Sequence, residues 1–194
     1  MANTMRAVAY RHAGPVSGPA SLEDVELPVP EPGPRDLLVR VQAVSVNPVD
    51  VKLRAGSDPG GQPRVLGFDA AGVVTTIGGD VSMFATGDEV CYAGSAGRPG
   101  SDAQFQVVDE RIVGHKPRTL SFAQAAALPL TSLTAWETLF DRFRLNTASR
   151  GTVLVLAAAG GVGSMVVQLA RTLTGLTVIG TASRPESRQW ALDL

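Results

Sequence analysis

The sequence predicts an α/β protein that begins with a β-rich domain and ends in one parallel βαβ unit, which is part of an incomplete doubly wound domain. Up to about residue 122, short apolar runs alternate with Gly- and Pro-containing turns, which is typical of a small barrel or sandwich. From Gly151 the pattern changes to strand, glycine loop, helix, strand, loop and helix. We therefore divide the chain into a β domain (1–122), connecting helices (123–150) and the first part of a doubly wound domain (151–194).

Composition excludes several classes of protein. Hydrophobic residues make up 44% of the chain but aromatic residues only 5%, so the core must consist mostly of Val, Leu and Ala. The 17 basic and 18 acidic residues nearly cancel, which argues against a nucleic-acid partner. The single thiol, Cys91, cannot form an internal disulfide, and the amino terminus lacks the apolar segment of a secretory signal. We expect a cytoplasmic protein with no membrane partner.

The β domain is predicted from five short runs and one connector. Pro28–Pro34 contains four prolines and cannot join an interior ladder, so it is a connector. The predicted strands are Met5–Tyr10, Asp36–Val46, Gly67–Ile77, Asp88–Tyr92 and Gln104–Val108.

The connecting segment is predicted to be helical. Ser121 and Gln124 form a capping-box pattern for a helix that continues to Leu128 and is broken by Pro129. A second helix is expected to begin near Thr131 or Ser132. Its apolar face would consist of Leu133, Trp136, Phe140 and Phe143.

The last 44 residues are predicted to form one right-handed βαβ unit followed by a helix. Pro185 is typical of a first helical residue, and Ser183 is the expected N-cap. The predicted strands and helices, in chain order, are Thr152–Leu156, Val162–Leu173, Leu176–Thr181 and Pro185–Leu192.

A glycine loop lies between the first strand and helix of this unit. Gly160 and Gly163 match the second and third glycines of a G-x-G-x-x-G fingerprint, with Ala158 at the first position and Gly161 and Val162 between. A glycine lets the backbone approach a pyrophosphate, and the helix N-terminus offers free N–H groups to it. The same glycines also interrupt the apolar stretch Val153–Ala170, which argues against a membrane span. The alternative is a packing turn that binds no ligand.

The end of the second strand indicates which dinucleotide would bind. An NAD site usually places an acid there, but this chain has Ser183 and Arg184, with Arg188 further on. Guanidinium groups suit a 2′-phosphate, so we predict NADP(H). The alternative is that Arg184 and Arg188 form a solvated helix start.

Six motifs resemble those of the medium-chain dehydrogenase/reductase superfamily, and the resemblance covers nearly the whole chain, from Met5 to Leu194. Within the superfamily the chain is most similar to the quinone oxidoreductases and the zinc-type alcohol dehydrogenase-like proteins. The resemblance implies a GroES-like β-barrel domain and a partial Rossmann domain, with the active site in the cleft between them. The matching segments are Asn47–Asp50, Gly67–Val74, Gly87–Val90, Ala125–Pro129, Leu133–Trp136 and Ala159–Gly163.

The zinc ligands of the zinc-dependent members are missing. The positions that the resemblance assigns to a Cys and a His hold Val46–Val49 and Phe68, and no Cys or His lies near Pro129–Thr134. Since a catalytic zinc needs about three protein ligands, we expect no metal.

The resemblance also implies which side chains surround the nicotinamide: Asn47, Lys52, Tyr92 and Thr134. Asn47 and Tyr92 could donate hydrogen bonds to a substrate oxygen, and Lys52, which stands where relatives often carry Tyr, could hold an oxyanion. The alternatives are a turn pair with Pro48 for Asn47, a solvated Lys52 and strand packing for Tyr92. Asp50 and Asp69 are expected to be structural.

The expected function is NADPH-dependent reduction of quinones, activated enones or carbonyls by hydride transfer without metal. The alternatives are a zinc-dependent alcohol dehydrogenase and a non-catalytic fragment or binding module. The chain ends after the first part of the Rossmann pattern, so we expect a truncated family member whose 194 residues alone are a poor catalyst. The full-length protein is expected to be a homo-oligomer.

Overall fold

A computed structural model of the chain describes residues 3–15, 17–18 and 22–194. The chain divides into two compact units, Met1–Pro129 and Leu130–Leu194.

The first unit is built mainly from short antiparallel strands. In the described residues it also has helix α1 (Pro48–Gly56), a 3₁₀ turn (Glu110–Ile112) and helix α2 (Phe122–Ala126). Its strands are β1 (Thr4–Tyr10), β2 (Glu23–Pro28), β3 (Asp36–Ser45), β4 (Arg64–Val65), β5 (Asp69–Ile77), β6 (Glu89–Ala93), β7 (Phe105–Asp109) and β8 (Val113–His115).

These strands form a five-stranded sheet in the order β7-β3-β5-β6-β8 and a three-stranded sheet in the order β2-β1-β4. The β-rich first part of the predicted fold class is confirmed, and among the described residues its strands form two sheets instead of one closed barrel. Between β1 and the segment before β7 there is an isolated bridge, at Ala7 and Ala103, instead of a ladder. The Arg6 N–H donates to Gln104 Oε1 at 2.8 Å, and the Val8 N–H donates to the Asp102 carbonyl at 2.8 Å.

The core of the five-stranded sheet is assembled from small and medium apolar side chains, as the low aromatic content predicts. Two aromatic rings, Phe84 and Tyr92, belong to it. The aliphatic members are Leu37, Val39, Ala70, Val74, Val90 and Val108.

The second unit contains the predicted order of strand, loop, helix, strand and helix. The apolar stretch Val153–Ala170 is therefore interrupted by the glycine loop, as predicted. Strands β9 and β10 are parallel, with Val153 opposite Val178. In the described residues no helix is both long enough and apolar enough to cross a membrane. The elements are α3 (Pro129–Trp136), a π-helical segment (Glu137–Arg142), β9 (Arg150–Val155), α4 (Gly161–Leu173), β10 (Gly175–Gly180) and α5 (Pro185–Asp193).

The predicted capping box of α2 is present. The Gln124 N–H donates to Ser121 Oγ, and the Ser121 N–H donates to Gln124 Oε1. The helix ends at Ala126, earlier than predicted, and Pro129 begins α3 instead of merely ending α2. Proline suits this place because the first turn of a helix needs no N–H donor.

The predicted apolar face of the second helix is wrong at three of its four residues, and only Phe140 packs against the core of the described residues. Leu133 and Trp136 are each 47% exposed and Phe143 is 64% exposed, whereas Leu139 is 1% exposed. The prediction assumed a regular α-helix, but the Phe143 N–H donates to the Thr138 carbonyl, five residues back. This wider π turn changes the helical period after Trp136, where Leu139 is buried and Phe143 is exposed.

Helix α4 packs against the end of β9 at Gly163. A Cβ atom at this position would lie 2.4 Å from the Ala157 carbonyl oxygen and 2.8 Å from the Ala158 Cα. Both neighbours are backbone atoms, so neither can move aside cheaply.

We therefore expect Gly163→Ala to destabilise the protein. Alanine favours a helix interior by about 1 kcal/mol over glycine, but forcing a methyl group into packed backbone costs typically 1–3 kcal/mol or more. The measurement is the urea midpoint of unfolding. Gly79→Ala is the control, since its Cβ would meet no atom within 4 Å; equal midpoints for the two variants would contradict the close packing.

Candidate active site

The glycine loop presents exposed backbone at the start of α4. Gly160 is the N-cap of this helix, and Gly160, Gly161 and Val162 are exposed while Gly163 is buried. The first N–H groups of a helix have no intrahelical partner and carry partial positive charge. The loop therefore has the features that a pyrophosphate group requires.

Ser183 and Arg184 follow β10 and are exposed. The N-cap of α5 is Arg184, so the predicted N-cap Ser183 is wrong by one residue. Because Pro185 is the first helical residue, the cap must be the residue directly before it. The Arg184 side chain makes no hydrogen bond or ion pair within residues 3–15, 17–18 and 22–194, whereas Arg188 Nε donates to the Ala182 carbonyl at 3.1 Å.

Thr134 lies on the exposed side of α3. Its hydroxyl donates to the Leu130 carbonyl at 2.7 Å, so the proton is used within the helix. The hydroxyl oxygen still has lone pairs that can accept a hydrogen bond. Its predicted contact with the cofactor stays a prediction.

In the first unit, Asn47 is buried just before α1. Its Nδ2 atom donates to Asp69 Oδ2 at 2.8 Å and lies 3.3 Å from the Ser45 carbonyl, and its backbone N–H donates to Asp50 Oδ2 at 2.7 Å. An amide NH₂ has two hydrogens, and protein oxygens accept both. Asn47 must release one of these bonds before it can donate to a substrate oxygen.

Tyr92 is 2% exposed within the core of the five-stranded sheet. Its hydroxyl has no hydrogen-bond partner in the part of the chain that the structure describes. Burial raises the pKa of this phenol well above its ordinary value, so it is neutral at physiological pH. These surroundings support the strand-packing alternative, and the proton-donor role stays a prediction.

Lys52 lies in α1, on the side exposed to solvent, and makes no ion pair with any residue in the described ranges. Its ammonium group can bind an anion, as predicted, or remain in solvent, which is the alternative.

Three acids lie near the turn at Gly67. Asp50 and Asp69 are buried, and Asp50 Oδ1 accepts the Gly67 N–H at 3.2 Å. These contacts fit the structural role expected for both acids. Burial, and secondly the charge of Asp50, raises the pKa of Asp102 to about 6. No sequence pattern singles out Asp102, because this residue comes close to Asp50 only through folding.

The donor set does not fit a zinc ion. Within the described ranges there is no group of three or more His, Cys, Asp or Glu side chains that could hold a metal. Asp50 and Asp69 are instead held by backbone and amide donors.

Sequence reasoning also missed three residues around the glycine loop. Thr181 Oγ1 accepts the Ala157 N–H at 3.1 Å, at the carboxyl ends of β9 and β10. Trp190 Nε1 donates to Ser164 Oγ at 2.9 Å and so ties α5 to α4. The only available signal was the position of Thr181 at the predicted strand end.

Comparison with known proteins identifies the class. The sequence model of the alcohol dehydrogenase GroES-like domain matches residues 33–135. A zinc-type alcohol dehydrogenase-like protein of Staphylococcus epidermidis is 42% identical, and the match covers 98% of this chain and 57% of that protein.

Two solved structures are similar over nearly the whole chain. A proposed zinc-dependent alcohol dehydrogenase from Rhizobium etli is 52% identical with a TM-score of 0.93, and the match covers 100% of this chain and 57% of that one. The quinone oxidoreductase of Escherichia coli, solved with NADPH, is 29% identical with a TM-score of 0.76. The match covers 97% of this chain and 56% of that one.

The chain belongs to the alcohol dehydrogenase GroES-like family and, with these neighbours, to the medium-chain dehydrogenase/reductase superfamily. Its quinone oxidoreductase-like and zinc-type alcohol dehydrogenase-like character is confirmed. The chain spans about half the length of the curated relatives it matches.

The raised pKa of Asp102 leads to a pH-dependent prediction. The folded state holds the Asp102 proton up to about pH 6, whereas the unfolded chain releases it near pH 3.8, so this group's stabilisation is present below pH 3.8 and is lost as the pH rises through 6. Asp102→Asn should remove this loss. The free energy of unfolding of this variant relative to the wild type, measured by urea unfolding, should therefore be higher at pH 7.5 than at pH 4, by about 1–2 kcal/mol after allowing for partial exposure. A constant difference across this range would contradict the assignment.

The unpartnered hydroxyl of Tyr92 leads to a second prediction. Removing it by Tyr92→Phe should leave the protein as stable as the wild type or up to about 1 kcal/mol more stable, because a buried polar group without a partner is costly. Thermal unfolding measures this. A clear loss of stability would show that the hydroxyl has a partner, and a lower kcat at unchanged stability would assign it to the reaction.

Proposed function

We propose that the protein is an NADPH-dependent oxidoreductase that reduces quinones, activated enones or carbonyls by hydride transfer without metal. The observation that carries the proposal is the glycine loop. The backbone of Gly160–Val162 is exposed at the N-terminus of α4. Gly163 is buried and allows α4 to pack closely against the end of β9, as a dinucleotide-binding loop requires.

The choice of NADPH rests on the end of β10. Arg184 is exposed and without a partner in the described residues, beside the hydroxyl of Ser183. A guanidinium can bind a phosphate through two parallel hydrogen bonds. The related quinone oxidoreductase of Escherichia coli was solved with NADPH, which supports the same choice.

The chain's own residues would bind and orient the dinucleotide, which supplies the hydride when bound. Gly160–Val162 would hold the pyrophosphate, and Ser183 and Arg184 the 2′-phosphate. Thr134 is proposed to contact the cofactor, and Asn47, Lys52 and Tyr92 are the candidates to bind the substrate oxygen. Of these three, Lys52 is the one whose side chain is exposed and ready to meet an anion.

A zinc-dependent alcohol dehydrogenase is the second candidate function, because relatives carry that description. The donor set of the described residues argues against it. A non-catalytic binding module is the third, and an assay of turnover separates it from both enzymes.

The direct test is NADPH oxidation by the intact protein with a panel of quinones and enones. We expect turnover that survives treatment with a chelator and no stoichiometric zinc in the purified protein. Alcohol oxidation that is lost with zinc would favour the second candidate. Dinucleotide binding without turnover of any acceptor would favour the third.

The NADPH preference is tested by Arg184→Ala. Loss of a charge-assisted hydrogen bond costs about 1.5–3 kcal/mol, so the KM for NADPH should rise roughly 10- to 150-fold while that for NADH changes little. Arg118→Ala is the matched control, because this arginine is also exposed but lies far along the chain in the first unit. An equal effect of Arg184→Ala on both dinucleotides would refute the assignment.

A further inference from the structure

We infer that Thr181 is a positioning residue for the glycine loop, whose hydroxyl holds Ala157 in the backbone conformation that dinucleotide binding requires. The inference rests on the proposed function, since it concerns how the same loop is held. Thr181 lies outside the set of residues proposed above to contact the dinucleotide.

Ala157 has an unfavourable backbone conformation. Its φ angle is +52°, in the left-handed region, where the Cβ of an L-residue crowds the following carbonyl. Such a conformation persists only where surrounding groups hold it, and it is often found at ligand-binding loops.

Thr181 supplies the groups that hold it. The Thr181 N–H donates to the Val155 carbonyl at 2.9 Å, and the Thr181 carbonyl accepts the Ala158 N–H at 2.9 Å. Both bonds use backbone atoms, which any residue except proline provides. The third bond, from the Ala157 N–H to Thr181 Oγ1 at 3.1 Å, needs a hydroxyl side chain.

The orientation of Ala157 sets the shape of the loop. Its carbonyl oxygen accepts the Gly160 N–H at 2.9 Å, and the same oxygen would lie 2.4 Å from a Cβ on Gly163. One oxygen atom therefore faces both the N-cap of α4 and the point of closest helix packing. If Ala157 turned away from the left-handed region, this oxygen would move and Gly160 would lose its bond.

This position in the loop predicts a specific effect. The pyrophosphate is common to NADPH and NADH, so loosening the loop should lower the affinity for both dinucleotides by the same factor. If Thr181 instead contacted the 2′-phosphate directly, removing its hydroxyl would weaken the binding of NADPH alone.

The experiment compares Thr181→Val, which removes the hydroxyl, with Thr181→Ser, which keeps it. Dissociation constants for NADPH and NADH are measured on the intact protein, and melting temperatures without dinucleotide establish that each variant is folded. Thr181→Val should weaken both dinucleotides by about tenfold, the effect of losing one hydrogen bond. Thr181→Ser should stay within about twofold of the wild type for both, because it restores the same bond.

A second pair of variants tests the left-handed conformation itself. Glycine adopts positive φ freely, so Ala157→Gly should make the Thr181 hydroxyl much less important. In this background, Thr181→Val should weaken binding less than about threefold. Should Thr181→Val alone fail to fold, recovery of folding and binding in the double variant would support the same role.

The outcomes separate the two proposals. The inference is overturned if Thr181→Val binds both dinucleotides like the wild type, if it weakens NADPH alone, or if its effect is undiminished in the Ala157→Gly background. A folded wild-type protein that binds neither dinucleotide would overturn the proposed function, and this inference with it.

Discussion

The second unit depends on one close approach, between the start of α4 and the end of β9. Gly163 lies so near the Ala157 carbonyl that no side chain fits between them. This contact places the N-terminus of α4 next to the end of β9, and Gly160–Val162 remain exposed. The chain turns within a few residues at this point, and Ala157 takes a left-handed conformation. Anion binding at the helix start is therefore a consequence of tight packing, because the same glycines allow both.

Two buried acids lie at the polar centre of the first unit and are held there by hydrogen-bond donors. Asp69 accepts from Asn47, and Asp50 accepts from the backbone of Asn47 and Gly67. A buried carboxylate is tolerated only where donors satisfy it. This arrangement uses the amide hydrogens of Asn47 for structure, so its residue type alone is a poor guide to its role in catalysis. Tyr92 gives the opposite case, a buried hydroxyl without a partner in the described residues.

Local patterns predicted local structure well. The Ser121–Gln124 capping box, the βαβ order and the break of Val153–Ala170 all depend on neighbouring residues, and the structure contains each of them. Errors arose where the outcome depends on distant groups or on an unusual turn. The helix becomes π-helical after Trp136, where Leu139 is buried and Phe143 is exposed. Strand β1 meets the segment before β7 through an isolated bridge and single hydrogen bonds, which no short-range pattern predicts.

The amino-acid sequence by itself determined the class of fold, the family and the location of the glycine loop, because glycine spacing and apolar periodicity act over a few residues. It also excluded the usual zinc ligands, since ligand identity can be read directly. Only the tertiary structure decided that Thr181 meets Ala157 and that Asp102 lies near enough to Asp50 for its pKa to rise. Thr181 and Ala157 are 24 residues apart along the chain. Chain folding, which depends on the whole packed core, sets their distances.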